Sequence, residues 1–233
     1  SNNIIRYLES KYNIENRITL IPCCVEYEEF KNSFDKNRSL FLKNKFKIDK
    51  YDYIFYYSGS LGGIYQLDSM LNFFEYVQKI YQNSFFIFFT NNIKILEKKI
   101  SEKKYEKIKD NIRYKGVDRE QLPTYLSLCD AMVYFIKPTF SKKASCPTKL
   151  GESLALGMPV ITNKGIGDIE EFFKEIEPGF LFDEINLNNF QNFKNNISLI
   201  NKNKNNKIRE KSRKFFDIKK ATDLYKKVYL QLE

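Results

Sequence analysis

"DYIFYYSGSLGGIYQLDSMLNFFEYVQKIYQNSFFIFFT", residues 52–90, decides the fold. "DYIFYYSG" at 52–59 is a continuous apolar run that ends in a Gly-rich turn. Leu67, Met70, Leu71, Phe74, Val77 and Tyr81 then recur at helical spacing, which predicts a helix over 65–81 with one buried stripe. "SFFIFFT" at 84–90 is apolar at nearly every position. Such a strand has no polar face to offer solvent, so it must be covered on both sides. Strand, helix and doubly covered strand in this order are the unit of a parallel sheet.

The same alternation continues outward. "IRYKG" at 112–116, "DAMVYFI" at 130–136, "PVIT" at 159–162 and "GFLF" at 179–182 read as further strands, and "ITLIP" at 18–22 as a short one before them. Helices are expected over 93–107, 119–128, 147–156 and 168–175. The expected fold is α/β, a doubly wound parallel sheet of about six strands. Ligands of such folds sit at the carboxyl ends of the strands, near the reversal of strand order. That rule points to the loops after residues 58, 90, 116, 136 and 162. Beyond 183 the chain turns rich in Asn and Lys, but Phe190, Phe193, Ile197 and Ile200 keep a helical stripe, read as a surface helix. The last segment carries Phe215, Phe216, Leu224, Tyr225, Val228 and Leu232, with a break near Asp217. No internal repeat is evident.

Of 233 residues, 42% are hydrophobic and 16% aromatic, enough for a sizeable core. The formal net charge of +10 suits a phosphorylated ligand, nucleic acid or an anionic membrane surface without choosing among them, and a solvated Lys-rich surface accounts for it equally. Lys outnumbers Arg and is spread along the chain, which argues against a nucleic-acid groove. There is no histidine, and Cys23, Cys24, Cys129 and Cys146 form no C-x-x-C pair, so no metal site is expected. Four unpatterned thiols suit a reducing cytoplasm. No apolar run reaches transmembrane length and no signal peptide is seen. The start at Ser-Asn-Asn reads as that of a fragment.

Three stretches carry chemistry. In "YYSGSLGG", residues 56–63, Gly59, Ser60, Gly62 and Gly63 form a turn at a helix start, where free amides and the helix dipole make a phosphate cradle. It matches neither the P-loop nor the G-x-G-x-x-G pattern, and packing alone accounts for such a turn in many α/β folds. In "KASCPTKLGESLALGMPVIT", residues 143–162, Pro147 suits the first helical position and leaves the amides of Thr148, Lys149 and Leu150 free. At 100° per residue, Gly151, Ala155, Thr148 and Glu152 share a face beside the core side of Leu150 and Leu154. A small face with one carboxylate suits a polar ligand, its anionic part at the helix start and a diol near Glu152. An exposed Lys149–Glu152 ion pair, with Gly151 and Ala155 easing packing, accounts for it equally. In "YKGVDREQLPTYLSLCDAMVYF", Gly116 and Val117 offer a backbone amide and carbonyl to a heterocycle edge.

With these three in order, the chain resembles the C-terminal, donor-binding half of the group 1 glycosyltransferases (glycosyltransferase family 4). "RITLIPCCVEYEEF", "YSGSLGGIYQLDSML", the strand pair just quoted, "SCPTKLGESLALGMPVITNKGIGD" and the closing "KSRKFFD…YKKVYLQL" resemble successive family segments. The resemblance implies a Rossmann-like C-terminal lobe of a GT-B fold with extra C-terminal helices. It divides the chain into residues 1–16 from a preceding N-terminal domain, 17–204 as the nucleotide-sugar domain, and 205–233 as helices packing back toward that other domain.

The resemblance also implies roles. Glu152 matches the second acid of the family's Glu-x7-Glu motif and would hold the nucleotide ribose. The first acid falls at Ala144 and is absent, in a form of the motif where Lys149 stands near the leaving group. Gly59, Ser60, Gly62, Gly63, Thr148 and Lys149 would meet the diphosphate, Gly116 and Val117 the base, and Ser141, Ala144, Ser145 and Cys146 the donor sugar. Ser60 stands where Arg or Lys is frequent, and Lys137, Lys142 and Lys143 are nearby cations. The implied activity is retaining transfer of a sugar from a nucleotide-diphosphate donor, without a cofactor, to a surface-glycan or lipid-linked acceptor held by the N-terminal domain. This half alone would bind but not transfer. Rival readings are an epimerase or phosphorylase of the same fold and a non-catalytic nucleotide-binding subunit. The positive charge would hold the protein against an anionic cytoplasmic membrane face.

Overall fold

Every side chain of strand β2 (Ser84–Phe89) is buried, as are five of six in β1 (Tyr53–Ser58). Each strand therefore lies inside a sheet covered on both faces. The computed structural model describes residues 1–14, 17–31, 36–200 and 205–231. It contains one six-stranded sheet in the order β3-β2-β1-β4-β5-β6, parallel throughout, in which β3 is Ile112–Lys115, β4 Ala131–Val133, β5 Val160–Asn163 and β6 Gly179–Phe182. The order reverses between β1 and β4, the place where such sheets open a crevice.

Helices α4 (Leu67–Ile80), α5 (Ile93–Ile100), α6 (Leu122–Leu126), α7 (Thr148–Ala155) and α8 (Ile169–Ile176) connect the strands. The aromatic bias of the composition is spent in the core. Phe73 of α4 meets Phe135, Phe182, Phe190 and Phe193 edge to face, with centroids 5.1–5.8 Å apart. Rings favour that geometry over direct stacking, and each buried ring adds about 1.5–3 kcal/mol of transfer free energy.

Several expectations are corrected. "ITLIP" at 18–22 forms no strand and joins no ladder of the sheet; just after it Val25 makes a lone bridge, its amide donating to Phe216 O at 2.8 Å. The helix expected over 93–107 ends at Ile100 and is followed by a 3₁₀ turn, Lys103–Tyr105; that over 119–128 shrinks to Leu122–Leu126. The surface helix after 183 is a short α9 (Leu187–Phe190) and a 3₁₀ run, Gln191–Leu199. Its asparagines bond to nearby carbonyls, such as Asn196 Nδ2 to Asn192 O at 2.7 Å, and so compete with helical hydrogen bonds. The break near Asp217 is present. It separates α10 (Asn206–Phe216) from α11 (Ile218–Leu230), and the Asp217 side chain caps the latter. Leu232 lies outside the described residues.

Before the sheet, α1 (Asn2–Tyr12) lays its first amides on the Asp168 carboxylate at 2.7 and 3.1 Å. Two short helices, α2 (Tyr27–Lys31) and α3 (Lys36–Phe46), lead into β1.

The turn from α7 into β5 depends on Gly157. Its φ is +67°, and a Cβ there would lie 2.7 Å from Asn205 O. Gly157→Ala is expected to lower the unfolding free energy by about 2 kcal/mol or more. Urea denaturation measures this, and an unchanged midpoint would contradict the packing described.

Candidate functional site

At the reversal between β1 and β4, four loops enclose a cleft of about 390 Å³. Gly59 and Ser60 come from the end of β1, Asn92 from the end of β2, Val117 and Arg119 from the end of β3, and Lys149 and Glu152 from the start of α7. The Gly59 amide donates to Phe89 O at 3.0 Å, and Asn92 Oδ1 accepts the Leu61 amide at 2.9 Å, so neighbouring strand ends lock the turn. Gly59 has φ +120°, and a Cβ there would come within 2.9 Å of Lys149 Nζ. Only glycine satisfies both demands.

Pro147 is the N-cap of α7 rather than its first helical residue, and its carbonyl accepts the Leu150 amide at 3.0 Å. The free amides are therefore those of Thr148 and Lys149, which meet no acceptor among the described residues. The small face of α7 is divided. A Cβ on Gly151 would lie 3.3 Å from Val25 and 3.4 Å from Phe216, and Ala155 O accepts a hydrogen bond from Arg209. These two residues take Val25 and α10, not a ligand. Thr148 and Glu152 face the cleft.

Lys149 and Glu152 form no exposed ion pair. They are only 7% and 6% exposed, and no bond joins them. Lys149 Nζ donates to Tyr57 Oη at 3.1 Å and lies 4.3 Å and 3.9 Å from the ring centroids of Tyr57 and Tyr65. Burial pushes its pKa down to about 7, against the opposing pull of the Glu152 charge. Burial pushes the Glu152 carboxyl up, partly offset by Arg119 and Lys149. The Arg119 guanidinium is 3.7 Å from Glu152 Oε1 but 74% exposed. That is too long for a hydrogen bond, and so solvated a pair contributes at most about 1 kcal/mol.

Of the residues singled out in the sequence, Gly59, Ser60, Val117, Thr148, Lys149 and Glu152 come together here. Gly62 and Gly63 stand on the outer side of the turn at φ +90° and +62°, with no atom within 4 Å of an added Cβ. Gly116 lies against the Asn91 side chain, 2.7 Å from an added Cβ. Ala144, Ser145 and Cys146 line a different cavity, of about 560 Å³, with Pro22, Cys23 and Cys24. Ser141 is exposed in the 3₁₀ turn Phe140–Ala144. Lys137, Lys142 and Lys143 do not line the cleft. Sequence reasoning missed Tyr57, Tyr65, Asn92 and Arg119. The first two flank the Gly-rich turn, and Asn92 follows strand 84–90, so the rule of strand ends reaches the loop but not the side chain.

A buried lysine makes stability depend on pH. Below pH 7 Lys149 is charged in both states, and folding carries the full desolvation cost. Between about 7 and its ordinary 10.5 the folded state sheds the proton and the unfolded state keeps it, so stability rises with pH. Lys149→Met is expected to stabilise the protein, with an advantage that narrows by about 2–3 kcal/mol from pH 6 to pH 9. Chemical denaturation at the two pH values checks this; a gap independent of pH contradicts the burial of the amine.

The profile of the family described as Glycosyl transferases group 1 matches residues 39–215. No curated protein sequence matches the chain. Among solved structures it is similar to a glycosyltransferase from Rickettsia africae ESF-5, with TM-score 0.71 and 15% identity over 99% of this chain and 61% of that one. It is similar to HepE of Anabaena, solved with UDP and glucose, with TM-score 0.64 and 12% identity over 90% and 55%. It is also similar to WaaG, a glycosyltransferase involved in lipopolysaccharide biosynthesis, with TM-score 0.63 and 14% identity over 91% and 55%. The chain spans 55–61% of the length of these proteins. At such identities the likeness is one of fold, a Rossmann-like lobe of the GT-B kind. The family match covers most of the chain and rests on sequence: this chain belongs to the group 1 glycosyltransferases.

Proposed function

We propose that the cleft binds a nucleotide-diphosphate sugar and that this chain is the donor half of a retaining glycosyltransferase. One observation carries the reading. A lysine and a carboxylate, both buried and one turn apart on α7, line the same cleft without pairing. The amine meets no carboxylate and Glu152 only the solvated Arg119, and buried charges so weakly partnered are costly unless a ligand completes them. A diphosphate completes Lys149 and the two free amides of α7; a ribose diol completes Glu152 by donating two hydrogen bonds. Val117 and Arg119, across the mouth, are left for the base. HepE, with the same fold, has been solved with UDP-glucose, which supports uracil as that base.

Chemistry follows from charge. As the bond from sugar to diphosphate breaks, negative charge grows on the leaving phosphate, and Lys149 with the α7 amides is placed to stabilise it. No other cofactor is needed in this reading. Ala144, where the family has an acid, leaves the donor-sugar side to Ser141, Ser145, Cys146 and groups outside the cleft. The acceptor, a surface glycan or lipid-linked sugar, belongs to a further domain, to which residues 1–16 and the helices of 205–233 relate. The likeness to WaaG supports a glycan-building role. The fragment then binds donor without transferring sugar. We place the whole protein in the cytoplasm, its net positive charge facing an anionic membrane.

Calorimetry with UDP and GDP tests the reading. UDP is expected to bind, and Glu152→Gln to weaken it about tenfold by removing one charged acceptor for the diol. Silence with both nucleotides, or equal affinity in the variant, would sink the proposal.

A further inference from the structure

No carboxylate among the described residues forms an ion pair with Lys149. Among the described residues the only hydrogen-bond acceptor for Nζ is Tyr57 Oη, which itself donates to Ser60 O. What remains around the amine is π surface. Both tyrosine centroids lie well inside the ~6 Å at which a ring quadrupole attracts a cation. The two rings meet edge to face at 5.9 Å and 69°.

The backbone, not the hydroxyl, sets the Tyr65 ring in place. Its amide donates to Gly62 O at 3.2 Å. On either side, the Gln66 amide donates to Phe135 O and the Lys137 amide to Ile64 O, each at 2.9 Å. Tyr65 is thus stitched to the end of β4. Its hydroxyl bonds to nothing among the described residues, so the ring is the contact.

We propose that Tyr65, together with Tyr57, is the positioning residue for Lys149, holding its amine against the Gly59 turn where the diphosphate of the donor arrives. The proposal deepens the nucleotide-sugar reading and rests on it. Its physical sense lies in what a ring does not do. A carboxylate would also orient a flexible lysine, but it would neutralise it and compete with the incoming phosphate. A ring orients the cation and leaves its charge for the ligand. The titratable groups facing the amine are Tyr57 from β1, Tyr65 from the turn before α4 and Glu152 from its own helix, with Arg119 beyond Glu152 from the β3–α6 loop.

The test pairs a geometric with a functional readout. In protein carrying 13C-labelled lysine, the Lys149 ε-methylene, assigned with Lys149→Arg, should lie upfield of the other lysines through ring currents. Tyr65→Phe should keep that shift, and Tyr65→Leu should move it toward the exposed lysines. Calorimetry should show UDP weakened about tenfold by Tyr65→Leu and within about twofold of wild type in Tyr65→Phe, with uridine, which lacks the diphosphate, little changed by either. Absence of a ring-shifted lysine in the wild type overturns the proposal. So does a Phe variant that behaves like Leu, or equal losses for UDP and uridine. A ring-shifted lysine in a protein that binds neither ligand supports the cage and overturns the nucleotide reading instead.

Discussion

An ammonium group buried with no carboxylate of the described residues against it governs the geometry around the cleft. Lys149 lies almost wholly out of water, yet no carboxylate touches it. Two ring faces and one phenol oxygen replace only part of its hydration. The result is an amine poised near neutrality, which a phosphate would return to full charge. Gly59 is held at a φ of +120° that favours glycine, which lets the amine lie close against it, and Tyr65 sits where it does because its turn is tied to the end of β4.

The scaffold makes this placement possible. Helix α7 carries both charged residues and is clamped from behind. Gly151 lets Val25 and Phe216 approach, and Arg209, itself buried, bonds to the carbonyls of Ala155 and Tyr27. The start of the helix is left to the cleft. One face of α7 is thus given to packing and its first turn to the cleft, within eight residues. The reversal of strand order supplies the gap into which that first turn opens.

The sheet is legible in the sequence because its physics is local. Six short runs rich in apolar residues each mark a strand of the structure, the four central ones buried on both faces and the edge strands β3 and β6 only in part. "ITLIP" has the same composition but joins no ladder of the sheet, and pairing is not a local property. The same limit governs the site. Lys149, Glu152 and Gly59 are legible from helix spacing and turn chemistry. Their environment is not: Tyr57 and Lys149 are 92 residues apart, and only the fold brings them into contact. Helical spacing puts Gly151 and Ala155 on the face of Glu152, yet α10 covers them, and no pattern within α7 announces which helix will pack there.

Proton uptake on nucleotide binding tests the central claim most directly. An amine with a pKa of about 7 is neutral in the empty cleft near pH 8.5 and must gain a proton to face a diphosphate. UDP titrated by calorimetry at that pH, in buffers of different ionisation enthalpy, should take up about one proton per nucleotide bound, and the uptake should vanish in Lys149→Met. Tight binding with no proton uptake would mean that Lys149 is already charged in the empty protein or does not meet the phosphate, and either result contradicts the account.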